Sequence, residues 1–127
     1  LTRVLYIAAL GLLGVFSRYF VGLLFGRFFV STFPLATLGI NVAGSFLIGV
    51  VYVLGLEHAF ITEDARIGIM VGFLGGFTTF SSYCLDSSRL LESGEWPKLA
   101  AYFLLSPMLG LAATLGGLSM TRFLLRG

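Results

Sequence analysis

Four apolar stretches follow one another along this chain, at residues 4–29, 34–56, 65–91 and 97–120, with only short polar turns between them. Each is long enough to cross the hydrocarbon layer of a bilayer as a helix, which takes about 20 residues. Composition agrees: a soluble domain devotes about a quarter of its residues to charge, whereas here 11% are charged and 57% hydrophobic. The expected fold is therefore an all-α membrane protein of four transmembrane helices, one domain over residues 1–127. The first stretch is too long for a signal-peptide core and no small-residue cleavage motif ends it, so it is read as a span.

The turns carry boundary signals. Pro34 suits the first turn of the second helix, and Glu57 and His58 mark its return to water. Thr62 is an expected N-cap for the third, with Glu63 and Asp64 in its first turn. Trp96 is an interfacial anchor, Pro97 opens the fourth helix, and Arg122 and Arg126 close it. Four spans put Arg3, Arg66, Arg122 and Arg126 on one side and Arg27, Arg89 and Lys98 on the other, four against three with Arg18 set aside as intramembrane. Orientation follows the Lys/Arg bias of short loops. A chain this evenly balanced is expected to insert both ways and pair as an antiparallel, dual-topology homodimer; the alternative is a fixed topology set by one strong helix.

Polar groups within the spans are candidates for function, because an Arg at mid-bilayer costs on the order of 2.5–3.5 kcal/mol on insertion scales. Arg18 stands roughly 21 Å along the first helix, where it either snorkels to an interface or lines an aqueous vestibule and attracts anions. In the second, Thr37, Asn41 and Ser45 recur every four residues and form a polar stripe. That stripe is either interhelical glue or, through the Asn41 amide donors, a holder of a small anion. The fourth helix repeats the spacing with Tyr102, Ser106, Gly110 and Thr114, while Pro107 should loosen the local backbone pairing. A ladder of hydroxyls about 6 Å apart resembles a path more than a single site.

The strongest constellation is Gly75-Gly76-Phe77-Thr78-Thr79-Phe80-Ser81-Ser82-Tyr83. Paired glycines followed by paired threonines and serines make a poor uninterrupted helix. The third span is thus expected to break near Gly75–Thr79, freeing backbone carbonyls and amides at mid-membrane that need a partner, water or an ion. Phe80 and Tyr83, three apart, share a face beyond the break, where electropositive ring edges can meet an anion without a trapping charge.

Together these residues resemble the Fluc (CrcB) fluoride-channel family. The likeness runs from Gly11–Arg18 through Gly39-Ile40-Asn41 and the 75–83 run to the hydroxyl ladder of the last helix. The resemblance implies an antiparallel homodimer in the bacterial inner membrane, passive fluoride export through two pores, and a central structural sodium ion. It implies that backbone carbonyls of Gly75 and Thr78 from both subunits hold the sodium, that Phe80 and Tyr83 form an aromatic box, that Asn41 and Ser106 line the pore, and that Thr37 and Arg18 belong to the vestibule. Two departures stand out: Tyr83 where the family usually has phenylalanine, and Gly110 where a serine is expected.

Other classes fare worse. A proton-coupled multidrug exporter needs an embedded carboxylate; the one candidate, Asp86, is expected at the interface. A non-transporting assembly subunit held by Gly-rich faces is a second alternative. No enzyme is expected, because His58 is a lone loop histidine without nucleophile or metal-ligand partners. The lone Cys84 is read as a small buried packing residue, and the thin net charge of +2 gives no basic run for nucleic acid.

Overall fold

The computed structural model describes residues 1–126, and every regular element among them is helical. The elements are α1 (Thr2–Phe28), α2 (Leu35–Tyr52, continued by a wider π-helical turn, Val53–Glu57), α3 (Glu63–Ile67, continued by a π-helical stretch, Gly68–Leu74), α4 (Gly75–Phe77), α5 (Phe80–Glu92) and α6 (Trp96–Leu125). Four stretches are long and apolar enough to span a membrane: Thr2–Phe28, Leu35–Glu57, Glu63–Glu92 and Trp96–Leu125. The largest difference from the expected spans is at the end of α6, which runs to Leu125 rather than 120. The helix closes at Arg126, its C-cap, whose N–H reaches the carbonyls of Arg122 and Phe123.

Local chemistry sets the ends. Thr62 caps α3, its hydroxyl accepting the Ala65 N–H at 3.3 Å. After α5, Gly94 takes a positive φ of 70°. The Gly94 and Glu95 N–H groups then turn back to the carbonyls of Leu91 and Leu90, closing the helix in a Schellman turn.

The spans pack as two pairs, α1 against the 63–77 segment and α2 against α6. Lipid offers no hydrophobic drive for helix association, so close backbone approach does the work. A Cβ on Gly14 would lie 2.1 Å from the Phe73 carbonyl oxygen, and one on Gly117 would lie 2.2 Å from that of Phe46. Large apolar side chains such as Leu12, Phe16, Phe20, Leu104 and Leu111 point outward, while the buried core is confined to Ile40, Val53, Leu74, Phe77, Leu90 and Tyr102. Cys84 follows the same inversion: it is exposed, not buried, because an apolar solvent accepts it as readily as a core.

Candidate functional site

The site is organised by two residues that leave helical geometry. Thr78 (φ −80°, ψ 159°) and Thr79 (φ −153°, ψ 122°) are extended, between α4 and α5. Thr78 ends α4 by sending both its N–H and its hydroxyl to the Leu74 carbonyl, at 2.9 and 2.8 Å, a side-chain competition typical of threonine. Thr79 starts α5 as its N-cap, accepting the Ser82 N–H at 3.2 Å.

The backbone of the break is held from α2. Asn41 Oδ1 accepts the Thr79 N–H at 2.8 Å, and Asn41 Nδ2 donates to the Thr79 carbonyl at 2.9 Å. An amide nitrogen carries two protons, so one donor remains after the clamp is made. Gly44 lets α2 come this close: a Cβ there would lie 2.2 Å from Thr78 Cγ2. Since Asn41 takes the Thr79 N–H and Thr79 Oγ1 takes that of Ser82, the carbonyls of Gly75 and Thr78 lose the amides that a continuous helix would give them. Carbonyl oxygens alone make a donor set that suits a hard cation. The two groups therefore fit the sodium expected there, with further oxygens needed from outside one chain.

Beside the break lies an open groove of about 670 Å³ between α2, the third span and α6. Asn41, Gly75, Thr78, Phe80, Tyr83 and Ser106 all line it, with apolar walls from Ile48, Met70, Leu74 and Phe103. The Phe80 and Tyr83 ring centroids are 5.8 Å apart, and Tyr83 also meets Tyr102 at 5.0 Å and Phe103 at 5.9 Å. Phe80 nevertheless stays 77% exposed. Among the described residues, Ser106 Oγ is buried without any hydrogen-bond partner, a state that native interiors seldom tolerate.

The other expected residues sit elsewhere. Tyr102 is fully buried behind the groove wall. Its hydroxyl and that of Thr37 both approach Asp86 Oδ2, at 3.4 and 2.7 Å. Asp86 is thus half-buried against α2 and α6. Thr114 places its hydroxyl 2.9 Å from the Ser45 carbonyl and 3.1 Å from that of Gly110, tying α6 to α2. Arg18 is half-buried on α1, outside the groove, with no hydrogen bond or ion pair among the described residues. At Gly110, Ser45 Oγ of α2 lies 3.5 Å from where a Cβ would stand.

The family model for CrcB-like proteins (Camphor Resistance, CrcB) matches residues 5–118. The chain belongs to the CrcB-like family. A relative from Nitrobacter winogradskyi, named fluoride-specific ion channel FluC, is 42% identical over 121 residues, covering 95% of this chain and 96% of the relative. Proteins of the same name from Pseudomonas fluorescens Pf0-1 and Geotalea uraniireducens are 45% and 40% identical, covering 88% and 95% of this chain and 90% and 98% of those proteins. This CrcB-like chain is accordingly a multi-pass integral membrane protein and not an enzyme.

Proposed function

We propose that this CrcB-like chain is a passive, fluoride-selective channel. The observation that carries the reading is the buried, unpartnered Ser106 hydroxyl in a groove whose other donors are neutral. Fluoride is small and strongly hydrated, and it gives up water only where donors replace that water at close range. The Ser106 hydroxyl, the second Asn41 proton and the Phe80 and Tyr83 ring edges are such donors. None carries a fixed charge that would hold the ion in place.

The groove is open and Phe80 is exposed on its wall, which favours closure by a second copy. We take that copy to be inverted, in keeping with the four-against-three Lys/Arg balance, giving an antiparallel homodimer with two pores. The Gly75 and Thr78 carbonyls of both copies would then hold a sodium ion, which supplies a fixed positive potential near the anion path. The chain's own residues do the rest: Asn41 fixes the break, Ser106 and the rings bind the ion, and Ile48 and Met70 exclude water.

The test is fluoride efflux from liposomes carrying the pure protein, followed with a fluoride electrode with and without a pH gradient. Proton-independent efflux is expected. A strict requirement for the gradient would instead favour an exporter built on Asp86, the carboxylate that α2 and α6 enclose.

A further inference from the structure

The polar face of α6 does not stop at Thr114. Continued at the same four-residue step it passes Leu118 and reaches Arg122, and all three line a second cavity of about 350 Å³ with Gly49 and Tyr52 of α2. Ile48 and Met70 line both cavities, so the two are neighbouring chambers that share an apolar wall.

Arg122 is fixed in this second chamber. Its Nε lies 3.1 Å from both oxygens of Glu57 and its Nη2 lies 2.5 Å from Oε1. The two side chains keep 40% and 31% of their surface exposed. A guanidinium has five N–H donors in a rigid fork, so the edge formed by Nη1 is left over after Glu57 is bound. Glu57 thus binds one edge of Arg122 and leaves the other edge of the guanidinium free beside the chamber.

We propose that Arg122 forms a second anion station at the far end of the groove, with Tyr52 beside it and Glu57 moderating its charge. Resting on the channel reading above, the ligand is a small hydrated anion, fluoride. The apolar Ile48–Met70 wall separates this station from the neutral donors around Ser106. Glu57 orients the fork and weakens its pull, so that the anion is concentrated at the mouth without being trapped. Focusing of this kind acts on arrival and fades with salt.

The experiment compares Arg122→Gln, Arg122→Lys and Glu57→Gln with the parent in liposomes, measuring initial fluoride efflux against internal fluoride at two ionic strengths. Thermal melting of each purified variant runs alongside. If Arg122 is an anion station, Arg122→Gln raises half-saturating fluoride by about tenfold, the lower end of what charge focusing gives. Arg122→Lys stays near the parent, Glu57→Gln lowers half-saturation, and all shifts shrink at high salt. The opposite signs are the discriminating result, since a purely structural ion pair is broken equally from either side. Equal loss of melting temperature in Arg122→Gln and Glu57→Gln, with half-saturation unmoved in both, overturns the proposal. Should Arg122→Gln not fold, Glu57→Gln decides alone: tighter half-saturation supports the station and an unchanged value sinks it. A parent without any fluoride flux would strike the channel reading itself, which separates the two failures.

Discussion

Asn41 faces Thr79 as one peptide group faces another, accepting its N–H at 2.8 Å and donating to its carbonyl at 2.9 Å. A side chain on α2 thus completes the backbone pairing that the extended residues cannot supply for themselves, and a helix break becomes tolerable inside a bilayer.

Removing that clamp should cost stability as well as transport. Asn41→Ala leaves two backbone groups without partners, at about 1–3 kcal/mol each when buried, and is expected to lower the melting temperature and abolish flux together. Asn41→Asp still accepts from Thr79 N–H but sets a carboxylate oxygen against the Thr79 carbonyl, and it too should lose flux. Normal melting and normal flux in either variant would remove Asn41 from both roles.

Ser106 should behave in the opposite sense. Its hydroxyl has no partner among the described residues, so Ser106→Ala removes an unsatisfied buried group and is expected to leave melting unchanged or slightly raised, while fluoride flux falls severalfold. A drop in stability would show that the hydroxyl serves the fold instead.

The Tyr83 hydroxyl makes no hydrogen bond among the described residues, although its ring meets those of Phe80, Tyr102 and Phe103. Tyr83→Phe therefore keeps the packing and should raise flux or leave it unchanged in the liposome assay. A large loss would make the hydroxyl part of the path.

Glycines on one helix should differ in sign. Gly14→Ala drives a methyl group into the Phe73 carbonyl, whereas Gly22 and Gly26 have open space around them. Melting is expected to fall sharply for Gly14→Ala. For Gly22→Ala it should hold or rise, by at most about 1 kcal/mol of helix propensity. Equal effects at the two positions would mean that α1 is not seated as described.

Acid should loosen one loop contact. Hydrogen bonds from Lys98 and Thr32 hold the Glu95 carboxyl below its usual range. A depressed folded value gives a contribution that is present above the unfolded value, about 4.3, and lost as pH falls through the folded one. Glu95→Gln should flatten this part of the pH dependence of melting below that range, and an identical pH profile in the variant would dissociate Glu95 from it.

Much of the architecture is legible in the residue order because lipid imposes a simple rule. Apolar runs of helical length must span, and Pro34, Thr62 and Pro97 mark where they begin. The stretch from Gly75 to Thr79 is equally readable, since Gly-Gly and Thr-Thr pairs disfavour a helix in any setting, and its two extended residues fall at Thr78 and Thr79. Less visible are meetings between distant residues. Nothing local tells that Thr37 and Tyr102 converge on Asp86 across 49 and 16 positions, so a ladder rung turns out to be a buried tie and the carboxylate lies half-buried between helices. Asn41 is found as polar, but its engagement with the Thr79 backbone depends on the close approach that Gly44 permits. Arg122 did carry a local signal, lying two further steps of four beyond Thr114. It is easily passed over because a terminal arginine reads first as the end of a span.

A path for fluoride through the groove beside Thr78 and Thr79 can be read in planar bilayers holding the pure protein under separate gradients of fluoride, chloride and protons. The reversal potential should follow the fluoride gradient and stay fixed when chloride or pH is changed. A reversal potential that moves with chloride as readily as with fluoride, or that tracks the proton gradient, would contradict it.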